Sequence, residues 1–113
     1  MTAKNTLTQA PPYPVEKAIK RLGANLRTAR LRRNLTIGEV GEKIGTGPRA
    51  VADAEKGKAS TSIAVYTALL WVYDLLGSML ELADPSLDEA GLSLLLSKER
   101  TRARGKEGLD DDY

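Results

Sequence analysis

The 113-residue sequence contains no cysteine, no histidine and no phenylalanine, and its aromatic residues are one tryptophan and four tyrosines. Without cysteine the chain has neither disulfides nor thiolate metal sites. Without histidine it lacks the commonest general base and the commonest metal ligand. No paired-carboxylate spacing takes their place. We therefore predict a protein that is not an enzyme, needs no metal or cofactor, and builds its core mainly from Leu, Ile, Val and Ala.

Basic residues are absent from one part of the chain and concentrated in another. Residues 61–97 contain five acids and no Lys or Arg, whereas residues 1–33 contain eight Lys or Arg and a single Glu. The overall net charge of +2 hides this asymmetry. A basic front half is typical of a protein that binds a polyanion, although solvated surface charge is the simpler alternative.

The chain also lacks a long apolar run. Its uncharged stretch at residues 63–73 ends at Asp74 and is shorter than the roughly 20 residues that a membrane span needs. Residues 1–14 contain three prolines and no apolar segment like that of a signal peptide. We predict no membrane segment, a cytoplasmic protein, and a flexible arm over residues 1–14.

Residues 36–57 have the pattern of two short helices joined by a tight turn. Thr36 can cap the first helix, and Glu39 stands three residues later, as in a capping box. Gly45 suits a left-handed helix end, and Pro48 suits the first position of the next helix. Such a hairpin offers its second helix to a DNA major groove. A plain helical hairpin inside an all-helical domain is the alternative.

The flanking segments predict further helices. An apolar stripe from Val15 to Ala29 indicates a long first helix over residues 15–33, with Gly23 as a weak point. The uncharged residues 63–73 indicate a helix buried on most faces. Asp74 can cap another helix, running to about residue 83. That helix has more apolar surface than a small core can cover, which predicts self-association. The dimer or partner contacts that we predict are Leu75, Leu76, Met79 and Leu80.

The sequence pattern predicts less about the structure of residues 92–113. The leucine-rich residues 92–96 fit either a short strand or a helical turn, because periodicity does not separate the two. Residues 98–113 are charged and poor in apolar residues, so we predict a disordered tail.

Three segments together resemble the Cro-type helix-turn-helix family, often called the XRE family. They read LGANLRTARLRRNLT at 22–36, GEVGEKIGTGPRAVADAEKG at 38–57, and SI…Y…LL at 62–70. Further along, LW at 70–71, LADP at 82–85 and DEAGL at 88–92 resemble HipB-like antitoxins, which pair with HipA-type kinase toxins. The resemblance implies an all-α, compact five-helix lambda-repressor-like DNA-binding domain with a flexible N-terminal arm and a charged C-terminal tail.

The resemblance also implies where DNA is contacted. In the family, early residues of the hairpin's second helix contact bases. Arg49 is the strong candidate among them here, because a guanidinium can donate two hydrogen bonds to guanine O6 and N7. Such a contact discriminates against the wrong base by about 1–3 kcal/mol. The family's Arg–Glu pair between the first helix and the reading helix maps to Arg30 and Glu55. Ile37 stands where the family often has a phosphate-binding Gln. The DNA-contacting set that we predict is Gly47, Pro48, Arg49, Ala50, Asp53, Thr36, Arg27, Arg32 and Arg33.

The sequence thus predicts four regions: an arm at 1–14, a helix-turn-helix domain at 15–84, a dimer- or partner-contact segment at 85–97, and a tail at 98–113. We expect a sequence-specific transcriptional regulator that binds double-stranded operator DNA as a homodimer. The resemblance favours an antitoxin that autoregulates its operon and binds a HipA-like kinase toxin. A free-standing phage-like repressor and a protein-interaction adaptor on the same fold are the alternatives.

Overall fold

The computed structural model describes residues 6–108, and within that range every regular element is helical. The all-α prediction is therefore confirmed. The described residues contain one α-helix more than the five predicted, together with two short 3-10 helices. The α-helices are α1 (Thr6–Gln9), α2 (Tyr13–Arg32), α3 (Ile37–Ile44), α4 (Pro48–Glu55), α5 (Ile63–Val72) and α6 (Glu89–Gly108); the 3-10 helices are Leu76–Glu81 and Pro85–Leu87.

The core lies among α2, α3, α4 and α5. Each of these helices contributes a fully buried aliphatic side chain: Leu26 from α2, Val40 from α3, Val51 from α4 and Leu69 from α5. Two tyrosines on and just after α5, Tyr66 and Tyr73, complete this core. The mainly aliphatic composition of the core agrees with the prediction. Because close-packed side chains restrain one another, this core fixes the hairpin against α2.

The helix ends of the hairpin are formed as the sequence indicates. The Thr36 hydroxyl accepts a hydrogen bond from the Glu39 N–H at 3.0 Å, and the Glu39 carboxylate accepts one from the Thr36 N–H at 2.8 Å. This reciprocal pair is the predicted capping box. Gly45 ends α3 in the left-handed region at φ 82°, and Pro48 begins α4. The predicted two-helix geometry of residues 36–57 is confirmed.

Two glycines allow α2 and the end of α4 to pass unusually close together. A Cβ atom built on Gly23 would lie 2.5 Å from the Ala54 carbonyl oxygen, and one built on Gly57 would lie 2.5 Å from the Lys20 Cα. Gly57 also has φ 70°, a conformation that favours glycine. Gly23, which the sequence suggested as a weak point of the first helix, is instead a packing position.

The structure differs from the sequence-based expectations in several places. Asp74 has φ 60° and cannot cap an α-helix from that conformation, so a 3-10 helix, Leu76–Glu81, replaces the expected one. Residues 92–96, for which the sequence left strand and helix open, belong to α6. Residues 98–108 continue that helix where we predicted disorder, because Lys, Arg and Glu are good helix formers and no proline interrupts them. Residues 109–113 lie outside the described range.

The predicted arm also differs. Residues 6–9 form α1, and α2 begins at Tyr13, because Pro14 suits the first turn of a helix. Residues 1–5 lie outside the described range. By their contacts, the described residues divide into two units, with the boundary between Met79 and Leu80. The hairpin and its core belong to the first unit, and α6 belongs to the second.

Candidate nucleic-acid interface

The first turn of α4 presents one basic side chain and unpaired backbone donors to solvent. Gly47 precedes the helix and makes no side-chain cap bond, and Pro48 occupies the first position. Arg49 follows and is exposed, whereas Ala50 is half-buried. The N–H groups of Arg49 and Ala50 have no intrahelical acceptor at this position. A helix start of this kind, with an arginine beside it, attracts a phosphate or a base edge.

Asp53, one turn further along α4, is paired within the protein. The Lys58 Nζ lies 3.6 Å from the Asp53 Oδ1, and the Asp53 side chain is about one quarter exposed at 24%. An isolated carboxylate at this position would repel a DNA phosphate. Because the neighbouring ammonium offsets the Asp53 carboxylate, this repulsion is reduced.

Arg30 and Glu55 are brought together as a nearly buried ion pair. The side chains are 9% and 5% exposed, and the Arg30 Nε donates to the Glu55 Oε2 at 2.6 Å. The Arg30 Nη2 donates to the other carboxylate oxygen at 3.0 Å, and Nη1 donates to the Leu35 carbonyl at 2.9 Å. The hydrogen bond to Glu55 raises the pKa of Arg30 above its ordinary value. Arg30 is thus occupied inside the fold and is not a surface cation.

Arg27 lies on the same side as the hairpin. It lines a shallow groove with Ile37 of α3 and with Ala52 and Lys56 of α4 and its end. Arg27 and Lys56 are both exposed. A DNA backbone beside α4 would therefore meet these two cations, and Lys56 is a candidate contact that the sequence reading missed. The sequence could have indicated Lys56, because this lysine directly follows Glu55 at the end of α4.

Arg32 is the last residue of α2, and Arg33 follows it directly. Both line a second groove, with Asn25, Thr28 and Leu75. On a helix of 3.6 residues per turn, Arg32 stands about 140° around the axis from Arg27. The structure therefore does not bring these two arginines together with Arg27 and Lys56.

Arg33 has an internal role that the sequence did not predict. Its guanidinium donates to the Ala29 carbonyl at 2.9 Å and to the Tyr73 carbonyl at 2.8 Å. It also stands 5.5 Å from the centroid of the Tyr73 ring, whose burial raises the pKa of that tyrosine to about 12. These two hydrogen bonds join the end of α2 to the end of α5, and the predicted DNA contact of Arg33 stays a prediction. A contact across 40 residues has no local sequence signal.

Thr36 serves first as the cap of α3. Its hydroxyl oxygen and its N–H are both used in the capping box. The residue is exposed, and a hydroxyl that accepts one hydrogen bond still has a hydrogen to donate. Thr36 therefore keeps one exposed hydrogen-bond donor at the start of α3.

The sequence of this region matches a known family. A helix-turn-helix domain family matches residues 21–83, more than half of the chain. The chain belongs to this helix-turn-helix family. Membership, with the XRE-like class of the motif, indicates a DNA-binding protein of the transcriptional-regulator type and a fold that is not typically enzymatic. Neither a search of curated proteins nor a search of solved structures returned a match.

The helix-turn-helix domain also exposes apolar side chains. Of the four predicted dimer or partner contacts, Leu75 and Leu80 are exposed, whereas Leu76 and Met79 are half-buried. The Thr67 hydroxyl lies 3.3 Å from the Met79 sulfur, which holds that side chain beside α5.

The helix α5 is less buried than predicted. Ile63 and Trp71 are 65% and 59% exposed on it, because only one face of the helix packs on the core. Among the described residues, no helix combines the length and the apolar content that crossing a membrane requires.

Proposed function

We propose that this protein is a sequence-specific transcriptional regulator that reads operator DNA with α4. The observation that carries the proposal is the exposed Arg49 beside unpaired N–H groups, on a helix whose last residue is fixed by the Arg30–Glu55 pair. Arg49 reads a guanine in the major groove. The small residues Gly47, Pro48 and Ala50 let the start of α4 come close to the DNA. Asp53 lies at the edge of the major groove that α4 contacts.

Phosphate contacts position the domain without reading sequence. Arg27 and Lys56 supply them from the groove beside α4, and Thr36 supplies one from the start of α3. Arg32 and Arg33 are left out of this set, because they line a different groove and Arg33 is bonded to two backbone carbonyls.

A single strong base reader per chain gives limited discrimination, on the order of 1–3 kcal/mol. We therefore propose that the protein binds as a homodimer on two half-sites about 10 bp apart, since doubling the contacts doubles the discrimination.

Selection from a random double-stranded oligonucleotide library tests the proposal. The wild-type protein should enrich a palindromic site containing a guanine in each half. Arg49→Ala should bind that site no better than a scrambled one, while keeping its non-specific affinity. Arg32→Ala is the matched control and should keep the preference. A wild-type protein that enriches no sequence would refute reading by α4.

The salt dependence of binding separates the phosphate contacts. Arg27→Ala should reduce the slope of log K against log salt by about one, because one contact fewer releases its counterion. Arg32→Ala should leave the slope unchanged. An adaptor that uses this fold only for protein contacts would show no steep salt dependence with DNA at all, so the same titration tests that alternative.

A second candidate is the antitoxin role. It is supported by the LADP and DEAGL segments, which resemble HipB-like antitoxins, and by the acidic groove that Glu81, Asp84 and Asp88 line in the second unit. Such a groove suits a basic surface on a HipA-like kinase. Co-expression with such a kinase should give a complex that survives gel filtration, and Glu81→Lys should weaken it. Absence of any complex would favour a free-standing repressor.

A further inference from the structure

Three leucines of α6 form an exposed apolar stripe. Leu92, Leu95 and Leu96 recur at the i, i+3, i+4 spacing that places side chains on one helix face. They are 55%, 51% and 44% exposed. Leu94, 71% exposed, stands on the opposite side of the helix. The stripe lies outside the residues that match the helix-turn-helix family, so that domain does not account for it.

Opposite charges flank this leucine stripe along the chain. Residues 80–91, before it, contain four acids and no base, a net charge of −4. Residues 98–105, after it, contain four bases and one acid, a net charge of +3. All five of those later charged side chains are exposed. An apolar centre with one negative and one positive end is complementary to its own copy, provided that the copy runs in the opposite direction.

We propose that α6 pairs with α6 of a second copy of this chain, antiparallel, through the leucine stripe. This arrangement sets the acidic end of each copy against the basic end of the other. Two-fold symmetry satisfies both ends at once, as an isologous interface requires. A parallel pair would place like charges together at both ends, which is unfavourable.

The positions of two oppositely charged residues fit this pairing. At about 100° per residue, Glu89 and Arg100 lie on the same flank of the stripe, about 70° and 90° from its centre. They are also nearly equidistant along the helix from the middle of the leucine stripe. In an antiparallel pair, Glu89 of one copy therefore lies beside Arg100 of the other.

Glu99 is the acid within the basic end, and it lies on the stripe itself. Antiparallel pairing brings it near the first turn of the partner's helix. The N–H groups of Glu89 and Ala90 in that turn have no intrahelical acceptor and carry partial positive charge, which offsets the Glu99 carboxylate. The Asp88 carboxylate already accepts the Gly91 N–H at 2.9 Å and so caps this helix, for which reason we leave Asp88 unchanged in the tests.

Sedimentation of the full chain without DNA tests the assignment. The wild-type chain should dimerise, and Leu95→Glu should raise the dimer dissociation constant at least about tenfold, because it places a charge in the apolar centre. Leu94→Glu is the matched control, since it makes the same change on the opposite face, and it should change the constant by less than about threefold. Circular dichroism should show both variants folded.

A charge exchange tests the direction of the pairing. Arg100→Glu should weaken the dimer, and the double variant Glu89→Arg/Arg100→Glu should recover most of the affinity. A recovered dimer affinity could not be explained by a more stable α6, because an arginine in the first turn of a helix interacts unfavourably with the helix dipole. Failure of the double variant to recover would overturn the antiparallel arrangement.

The α6 pairing rests on the proposed function, because it gives the surface through which the proposed homodimer forms. The sedimentation experiments contain no DNA, so their outcome does not depend on whether α4 reads a DNA sequence. A wild-type chain that stays monomeric at high concentration overturns it. So does a dimer that tolerates Leu95→Glu, which would point to Leu75 and its neighbours instead. Equal effects of the Leu94 and Leu95 variants would also overturn it.

Discussion

The guanidinium of Arg30 grips the carboxylate of Glu55 through two hydrogen bonds, 2.6 Å from Nε and 3.0 Å from Nη2. The two residues are 25 positions apart, and the pair joins α2 to the last residue of α4. Its third donor, on the Leu35 carbonyl, ties in the chain before α3. One side chain thus fixes α4 and the chain before α3 against α2.

Arg30→Met should therefore lower the free energy of unfolding by about 3–5 kcal/mol, because it leaves the buried Glu55 carboxylate without a partner. Urea denaturation followed by circular dichroism measures the change. The double variant Arg30→Met/Glu55→Leu removes both charges and should lose less than the single variant. An unchanged unfolding curve for Arg30→Met would show that the pair contributes nothing to stability.

Gly23→Ala should destabilise the protein although alanine favours helices. The added Cβ would stand 2.5 Å from one backbone carbonyl oxygen and 2.7 Å from the next, and backbone atoms move only at a cost of roughly 1–3 kcal/mol. Gly38→Ala in α3 is the matched control, because only the Thr36 hydroxyl oxygen lies near its Cβ, at 4.0 Å. It should be neutral or stabilise by up to about 1 kcal/mol. Thermal melts that rank the two variants the other way would contradict the close approach.

Arg33→Met should cost about 1–2 kcal/mol of unfolding free energy, since charged donors to the Ala29 and Tyr73 carbonyls are lost. Arg32→Met, the neighbouring change, should stay within about 0.5 kcal/mol of wild type. Neither should alter the preference for one DNA sequence over another. Equal stability of the two variants in the same denaturation series would count against the bracing role of Arg33.

The capping box of α3 should give a pH dependence. The hydrogen bond from the Thr36 N–H lowers the pKa of the Glu39 carboxyl below its ordinary value of 4.5. The folded state therefore binds this proton less readily than the unfolded state, so the contribution of Glu39 is complete above the ordinary value and is lost as pH falls through the lowered pKa.

Glu39→Gln keeps the hydrogen-bond acceptor and removes the titration. The melting temperatures of wild type and variant should differ at neutral pH and converge as pH falls through the lowered pKa of Glu39. A difference that stays constant from neutral pH to about pH 3 would show that ionisation of Glu39 does not contribute.

The sequence was sufficient to predict structure where the determinants are local. Thr36, Glu39, Gly45 and Pro48 each act within a few residues, so the helix ends of the hairpin follow from their chemistry. The Arg30–Glu55 pair came from resemblance alone, because nothing in the spacing of two residues 25 apart indicates contact.

The remaining features depend on distant packing. Gly23 was taken for a weak point, since the carbonyls of Ala54 and Glu55 that exclude a side chain there are far along the chain. The hydrogen bond from Arg33 to the Tyr73 carbonyl was not predicted, for the same reason. The α-helix expected after Asp74 gave way to a 3-10 helix, because the backbone turns at φ 60° there, which side-chain patterns do not encode.

The attachment of α4 has a consequence for how its specificity can evolve. The residues that hold the helix in place are Val51, Ala54 and Glu55, which lie on its inner face or at its end. Arg49 stands outside that set and is exposed. Under the proposed reading of DNA by α4, changes at position 49 would alter which base is preferred without weakening the fold. A lineage of such proteins could then acquire new operators one substitution at a time while each intermediate remains folded.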